Sequence, residues 1–187
     1  MVDLTTINKE WTLFLDRDGV INVEKEGSYI FNRDEFRFYD TALPALEILS
    51  KYFGRMIIVT NQRGVGKNLM ALEDLHDIHQ FMRSEIVAAN GRIDHVFFCT
   101  DVDDESENRK PNPGMAREAK KLFPEIDFSK SIMVGNKMSD MKFGRNAGMK
   151  TVFIATTHPQ TPYPNAFTDL RFNDLLEFAK KLDTMKT

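Results

Sequence analysis

Short apolar segments alternate with amphipathic stretches along most of the chain, and this alternation constrains the fold more than any other feature. The apolar segments are residues 12–15, 56–60, 95–99, 131–134 and 151–154. Their residues are mainly Val, Ile, Leu, Met and Phe with little polar alternation, which is typical of strands buried on both faces. Apolar residues at helical spacing occupy 42–53, 71–89, 113–122 and 138–147. This order of strands and helices predicts right-handed crossovers, a parallel sheet and a three-layer α/β/α sandwich.

The rest of the chain fits the same layered unit. Prolines between 159 and 164 indicate a loop, a short edge strand is predicted at 169–172, and a closing helix at 174–182 has Asn173 as its expected N-cap. A chain of 187 residues is long enough for one well-buried core and short for two. Predicted helices and strands fill the intervals between the polar segments, which leaves no room for a separate cap of ordinary domain size. We therefore expect a single domain over residues 1–187.

Charge, cysteine content and the lengths of the apolar runs argue against several classes of protein. The net charge is −3, which disfavours nucleic acid and anionic membranes as partners because both attract basic surfaces. The single cysteine, Cys99, cannot form an intramolecular disulfide or build a cysteine-rich zinc site. No apolar run reaches the ~18 residues of a membrane span, and the N-terminus lacks an apolar signal core. These features predict a cytoplasmic protein without a nucleic-acid or membrane partner.

Polar residues follow each of the first four apolar segments. Asp16 and Asp18 come after the first, "TNQRGVGK" closes the second, "TDVDDESENRKPNPG" follows the third and "GNKMSDM" follows the fourth. In an open α/β sheet, ligands bind beyond the carboxyl ends of the strands, so these segments should meet at one edge. We expect carboxylates, hydroxyl and amide donors, and a lysine to converge there.

Two carboxylates at the end of one strand suit phosphoryl transfer. Asp16 ends the strand and Asp18 lies two residues further on, so both can face the same side of the sheet edge. A carboxylate nucleophile beside a carboxylate acid/base splits a difficult transfer into two steps. Mg²⁺, which prefers oxygen ligands, would hold the substrate phosphate next to the negatively charged nucleophile. Thr60 and Asn61 are candidate donors to the phosphoryl oxygens, and Lys110 is a candidate to neutralise the aspartate and the phosphate together.

Four segments, in order, resemble the motifs of a known superfamily. They are "LFLDRDGVIN", "VTNQRGVG", "RKPNPGM" and "MVGNKMSDM". They resemble the motifs of the haloacid dehalogenase (HAD) superfamily, and more narrowly those of its histidinol-phosphate and D-glycero-D-manno-heptose 1,7-bisphosphate phosphatase branch. The similarity spans about residues 10–155. It implies a HAD-like fold with a Rossmann-like parallel sheet and no large cap domain.

The resemblance also implies roles for individual residues. Asp16 would be the nucleophile that becomes an aspartyl-phosphate, and Asp18 would be the general acid/base. The Asp16 carboxylate and the Asp18 backbone carbonyl would bind Mg²⁺. Thr60 and Lys110 would hold the phosphate. The residues nearer the substrate would be Asn61, Gln62 and Arg109.

Two departures from this branch concern metals. Its zinc loop of Cys and His is replaced here by "DVDDESEN", with Cys99 as the only cysteine, so no zinc is expected. In the fourth motif the family pattern resembles Gly-Asp-Lys-x-x-Asp, whose first Asp ligates Mg²⁺, and here that position is Asn136. An amide offers a neutral oxygen where a carboxylate offers a charge, so we expect weak metal binding without substrate and retained, if reduced, turnover. Asp140, one helical turn on, is a candidate to support the metal through water.

The sequence therefore predicts a Mg²⁺-dependent phosphomonoester hydrolase, a phosphatase that acts on a small phosphorylated metabolite. Heptose 1,7-bisphosphate is the first expected substrate and histidinol phosphate the second, whereas a nucleic-acid 3′-phosphatase and a non-catalytic phosphate-binding module are the alternatives. Loops 23–38 and 100–112 should help to define the substrate, and the protein is expected to be a monomer or a small homo-oligomer. His76 and His79, on a predicted helix, indicate a solvated helix face rather than a metal pair.

Overall fold

The structure, a computed structural model, describes residues 2–186. At its centre is a six-stranded sheet whose neighbouring strands are all parallel, in the order β3-β2-β1-β4-β5-β6. The strands are β1 (Thr12–Leu15), β2 (Arg55–Asn61), β3 (His95–Cys99), β4 (Ser131–Gly135), β5 (Lys150–Ile154) and β6 (Leu170–Phe172). The strands predicted from the apolar segments, and the short edge strand, are confirmed with their ends shifted by no more than one residue.

The strand order reverses next to β1. The chain adds β2 and β3 on one side of β1, then returns to the other side with β4, β5 and β6. Every residue of β1 and of β4 is buried, as expected for central parallel strands covered on both faces. A reversal of this kind opens a crevice at the carboxyl ends of the two strands that flank it, which is where open α/β sheets bind ligands.

Helices cover both faces of the sheet. They are α1 (Ala42–Tyr52), α2 (Arg63–Gly66), α3 (Leu72–Ala88), α4 (Gly114–Leu122), α5 (Met138–Ala147) and α6 (Leu175–Thr184). Successive residues of β1 point to opposite layers. Leu13 and Leu15 belong to one core cluster with residues of α1, α3 and α6, whereas Phe14 belongs to another with residues of α4 and α5. The predicted three-layer sandwich is confirmed.

The N-cap of α6 differs from the prediction. Asp174, not Asn173, caps the helix, and its side chain accepts a hydrogen bond from the backbone N–H of Glu177 at 2.9 Å. The backbone N–H of Asn173 instead donates to Glu177 Oε2 at 2.6 Å. An acidic N-cap followed three residues later by Glu is a recognisable helix start. The spacing of Asp174 and Glu177 therefore identifies Asp174 as the N-cap from the sequence.

Among residues 2–186, the segments that connect the strands form no folded cap. Between β1 and α1, residues 16–41 hold a 3₁₀ turn at Arg33–Glu35 and are otherwise loop and isolated bridges. Between β3 and α4, residues 100–113 contain neither helix nor strand. The prediction that a large cap is absent is confirmed for these intervals. Among residues 2–186, no helix combines the length and the apolar character needed to cross a membrane.

Candidate active site

A polar cavity of about 560 Å³ opens at the carboxyl ends of β1, β2 and β4. Its lining residues are Asp16, Asp18, Tyr29, Thr60, Asn61, Arg63, Asp104, Glu105, Arg109, Lys110, Pro111, Lys137, Ser139 and Asp140. The residues that follow separate strands in the sequence are therefore brought together, as the sheet-edge argument predicts. A larger groove of about 750 Å³ lies between α3 and β3, but none of the described residues that line it carries a carboxylate for phosphoryl transfer.

Lys110 joins two buried carboxylates at the floor of the cavity. Its Nζ lies 2.8 Å from Asp16 Oδ1 and 2.7 Å from Asp140 Oδ1, and it donates to the backbone carbonyl of Val59 at 2.8 Å. An ammonium has three donors, and these contacts use all of them. Asp16 is itself fixed to the sheet, because its backbone N–H donates to the carbonyl of Val134 at 2.9 Å. The lysine and the predicted nucleophile are thus held rigidly side by side.

The electrostatics of this cluster favour a cation near Asp16. Burial, opposed by Lys110 and reinforced by Asp140 and Asp18, raises the pKa of Asp16 to about 7. Burial acts to lower the pKa of Lys110, but Asp140 and Asp16 outweigh it and leave that pKa above its ordinary value. The lysine therefore stays charged but is shared between two carboxylates. A further positive charge next to Asp16 would stabilise its ionised form.

Asp18 has a separate set of partners. The Nη2 of Arg17 lies 2.9 and 3.0 Å from the two carboxylate oxygens of Asp18, and Asn22 and Gln62 each donate to the same carboxylate at 2.9 Å. Burial would raise the pKa of Asp18, but the Arg17 charge and these hydrogen bonds hold it below its ordinary value. The two neighbouring carboxylates are therefore balanced by different cations, Lys110 for Asp16 and Arg17 for Asp18.

Arg17 is in turn supported by α3. Its side chain is fully buried, and its Nη1 contacts Nε2 of His79 at 3.2 Å. His79 is itself buried, at 6% exposure, so the expected solvated helix face holds for the exposed His76 but not for His79. His79 accepts from a guanidinium rather than meeting solvent, and its imidazole must be neutral to do so.

Gln62 differs from the prediction, which placed it near the substrate. The side chain is buried at 3% exposure and is not part of the cavity lining. Its Nε2 donates to Asp18 and, at 2.8 Å, to Oγ1 of Thr60, which does line the cavity. Gln62, the residue after β2, thus holds Asp18 and Thr60 in place from outside the cavity.

Asn61 lines the cavity, and its amide also contacts the backbone of Lys110. Asn61 Nδ2 donates to the Lys110 carbonyl and Asn61 Oδ1 accepts from the Lys110 N–H, both at 3.1 Å. This two-point contact ties the end of β2 to the loop that carries the lysine. One amide N–H of Asn61 therefore positions Lys110, which leaves the second for the phosphoryl contact expected from the sequence.

The fourth motif contributes Asn136 and Asp140 in different ways. Asp140 Oδ1 meets Lys110 and its Oδ2 accepts from the Lys137 backbone N–H at 2.9 Å, so protein donors occupy both oxygens. Asn136 is fully buried, and among the described residues its Oδ1 has no hydrogen-bond partner. The Asn136 side chain packs against Gly19, the residue after Asp18, and a buried orphan acceptor there fits a cation with a preference for oxygen ligands, such as Mg²⁺. Of the two candidates for the metal, the free oxygen belongs to Asn136, and Asp140 anchors the lysine.

Two arginines lie at the mouth of the cavity, and only one of them was predicted from the sequence. Arg109 was predicted, and its Nε donates to Asp104 Oδ1 at 3.0 Å. Arg63, which was not predicted, pairs with the same Asp104 carboxylate and donates to the Val102 carbonyl at 2.6 Å. Tyr29 also lines the mouth, so both loops expected at the rim, 23–38 and 100–112, do reach the cavity.

The fold and the site together define a phosphatase of the HAD-like class, with an acidic pair after β1 and a buried lysine facing it. A family model described as HAD-hydrolase-like matches residues 107–168. A D,D-heptose 1,7-bisphosphate phosphatase of B. bronchiseptica, solved with magnesium and phosphate, superposes with a TM-score of 0.84 at 26% identity, covering 93% of this chain and 98% of that one.

Two curated relatives narrow the class. The D-glycero-alpha-D-manno-heptose-1,7-bisphosphate 7-phosphatase of Mycobacterium bovis is 32% identical over 171 residues, which is 91% of this chain and 90% of the relative. The enzyme of the same name from Burkholderia mallei is 36% identical over 155 residues, 78% of this chain and 80% of the relative. The chain belongs to the heptose-1,7-bisphosphate phosphatase family of HAD-like hydrolases.

Proposed function

We propose that this phosphatase removes one phosphate from a sugar bisphosphate of the heptose 1,7-bisphosphate kind, through a phosphorylated Asp16. The observation that carries the proposal is the buried cluster of Asp16, Lys110 and Asp140 on the floor of an open polar cavity, with Asp18 alongside. The names of the relatives favour the heptose substrate over histidinol phosphate.

In the first half of the reaction, an Oδ of Asp16 attacks the phosphorus and the ester oxygen leaves. The P–O bond to the sugar breaks as the P–O bond to Asp16 forms, and the leaving oxygen takes a proton from Asp18 in its acid form. Arg17 makes that acid form scarce at neutral pH, because it holds the pKa of Asp18 low. Lys110 neutralises the charge that Asp16 and the phosphoryl group bring together, and Thr60 is placed to donate to a phosphoryl oxygen.

In the second half, water attacks the phosphorus of the aspartyl-phosphate. Asp18, now a carboxylate, takes a proton from that water while the bond from phosphorus to Asp16 breaks, which releases inorganic phosphate and restores Asp16. The depressed pKa of Asp18 restricts its strength as a base, but its three donors fix the carboxylate in place for the transfer.

The metal proposed for this site is Mg²⁺, held by the Asp16 carboxylate, the Asp18 backbone carbonyl and Asn136 Oδ1. When bound, it would neutralise the phosphoryl oxygens and the nucleophile at once. The orphan oxygen of Asn136 supports this assignment. We propose no zinc requirement, since the loop from 101 to 108 is acidic and Cys99 is buried at the end of β3.

The mouth of the cavity suits a second phosphate. Arg63 and Arg109 both pair with Asp104, so an incoming phosphate could replace that carboxylate and meet two guanidinium groups. This supports a bisphosphate as substrate. The net charge of −3 supports a small-molecule substrate and argues against nucleic acid or membrane partners, and we propose a cytoplasmic, single-domain enzyme that is a monomer or a small homo-oligomer.

Phosphate release in the presence of Mg²⁺ tests the proposal. The substrates to compare are heptose 1,7-bisphosphate, histidinol phosphate and a 3′-phosphorylated oligonucleotide. We expect the highest kcat/KM for the heptose bisphosphate, and a loss of at least ~10³-fold in Asp16→Asn, since the amide is a poor nucleophile. Release of phosphate from none of the three, or undiminished release by Asp16→Asn, would contradict it.

A further inference from the structure

The amide of Asn136 is held at one end only. Its Nδ2 donates to Oγ1 of Thr157 at 2.6 Å and to Oε2 of Glu24 at 3.1 Å, while its Oδ1 has no partner among the described residues. The side chain is completely buried. A buried amide whose nitrogen is doubly engaged and whose oxygen is free has a defined orientation with one acceptor to spare.

Glu24 is the partner that selects this orientation. The two ends of an amide have nearly the same shape, so hydrogen-bond partners decide which end points where. A hydroxyl such as that of Thr157 can donate or accept and would tolerate either end. A carboxylate only accepts, so Glu24 requires the nitrogen of Asn136 to face it and sends the oxygen the other way.

Glu24 is itself fixed in place. Its Oε1 pairs with Nζ of Lys137, which leaves Oε2 for Asn136. Its side chain is 20% exposed, so the pair is only partly screened by solvent. Because Lys137 balances the charge, Glu24 adds little net negative charge to the cavity. Its contribution is to orient the amide of Asn136.

We propose that Glu24 is a positioning residue that orients Asn136, so that the free Oδ1 serves as a ligand for the divalent cation of the active site. This inference rests on the metal site in the proposed function. It explains how a neutral amide takes the place where the family resemblance predicts a carboxylate: orientation by Glu24 substitutes for part of the missing charge.

Binding of Mn²⁺ to the substrate-free protein, with the free ion counted by electron paramagnetic resonance, tests the inference without relying on activity. Glu24→Gln allows either end of the Asn136 amide to face residue 24, so we expect affinity to fall about 10-fold, as is usual when an outer partner of a ligand is lost. Thr157→Val removes one acceptor without changing any charge and should give a smaller loss. Unchanged affinity in Glu24→Gln would overturn the proposal, and so would an equal or larger loss in Thr157→Val, because Thr157 would then be the group that orients the amide.

A reciprocal exchange gives a second and sharper test. Asn136→Asp places a carboxylate against Glu24, where like charges oppose each other. In the double variant Asn136→Asp with Glu24→Gln, the amide at position 24 can donate a hydrogen bond to the carboxylate at position 136. The donor and the acceptor have then exchanged positions. We expect the double variant to bind Mn²⁺ more tightly than Asn136→Asp alone. Equal or tighter binding by Asn136→Asp alone would show that residue 24 does not act on residue 136.

These outcomes separate the inference from the proposed function. Thermal unfolding of each metal-free variant checks that it folds. If neither the wild type nor the double variant binds Mn²⁺, with or without inorganic phosphate, the metal site itself is wrong and the inference is wrong with it. If Mn²⁺ binds but the variants at 24 and 157 match the wild type, the metal site stands and the role of Glu24 is refuted.

Discussion

Asp16 and Asp18 stand two residues apart, yet their carboxylates meet different cations, Lys110 for the first and Arg17 for the second. This division allows the two groups to differ in protonation within one small site. Burial raises the pKa of Asp16 to about 7, while the partners of Asp18 hold its pKa low. These two directions oppose the proposed roles, so a cation beside Asp16 would be needed to keep the nucleophile ionised.

Asp140 is predicted to act through Lys110. In Asp140→Asn, one carboxylate oxygen is replaced by an NH₂ group, which cannot accept a hydrogen bond. Either Lys110 Nζ or the Lys137 N–H then faces another donor. Because Lys110 is then less firmly held against the phosphoryl group, kcat should fall by about 10–100-fold. The measurement is steady-state phosphate release, with Asp127→Asn, an exposed aspartate bonded to Ser129, as the matched control. An unchanged kcat in Asp140→Asn would show that Asp140 does not support the lysine.

His79 should make the fold sensitive to mild acid. Burial, with Arg17 adding to it, lowers the pKa of His79 to about 3, against about 6.5 in the unfolded chain. Below pH 6.5 the unfolded state therefore binds a proton that the folded state refuses, and stability falls by up to about 1.4 kcal/mol per pH unit, roughly 2 kcal/mol between pH 7 and 5.

Denaturant unfolding of wild type and His79→Gln at pH 7 and pH 5 measures this effect. The variant should lose less stability than the wild type over that interval, because glutamine has no proton to gain. His76→Gln, on the exposed side of the same helix, is the control and should behave as the wild type does. An equal loss in wild type and His79→Gln would refute a neutral buried imidazole.

At the level of helices and strands, the sequence predicts the sheet well and its supporting contacts poorly. Apolar runs locate the strands because both faces of a central parallel strand are buried, and polar residues at their ends follow from the sheet edge. The roles of Gln62 and Asn61 depend on which way each amide turns once the strands are assembled, which no spacing reveals. His79 was recognisable, since it lies four residues after the buried Leu75 and one after Ile78, on the apolar stripe of α3.

The start of α6 offers a direct comparison of two neighbouring residues. Asp174→Ala removes the side-chain acceptor for the Glu177 N–H and should lower the free energy of unfolding by about 1 kcal/mol. Asn173→Ala is the matched control: the hydrogen bond of Asn173 comes from its backbone, so the change should stay within about 0.5 kcal/mol. Denaturant unfolding at constant m-value measures both. A larger cost for Asn173→Ala would restore the cap predicted from the sequence.

Across the whole molecule, the location of the site follows from the strand order. The chain places β2 and β3 on one side of β1 and β4 to β6 on the other, so β1 and β4 are neighbours. The acidic pair after β1 therefore lies beside the fourth motif after β4, and β2 contributes Thr60 from the other side. Because the described residues form no large cap over these strand ends, the loops from 23 to 38 and from 100 to 112 contribute to the walls of the cavity. We therefore expect substrate choice to depend on cavity residues such as Tyr29 and Arg109 in these loops and Arg63 at the start of α2.

The identity of the nucleophile is the central claim, and a crystal structure with Mg²⁺ and beryllofluoride, a mimic of a phosphoryl group, tests it most directly. We predict beryllium bonded to an Oδ of Asp16, with Lys110 and Thr60 contacting the fluorides. Beryllium bonded to Asp18, or a fully occupied beryllofluoride that avoids both carboxylates, would contradict the account.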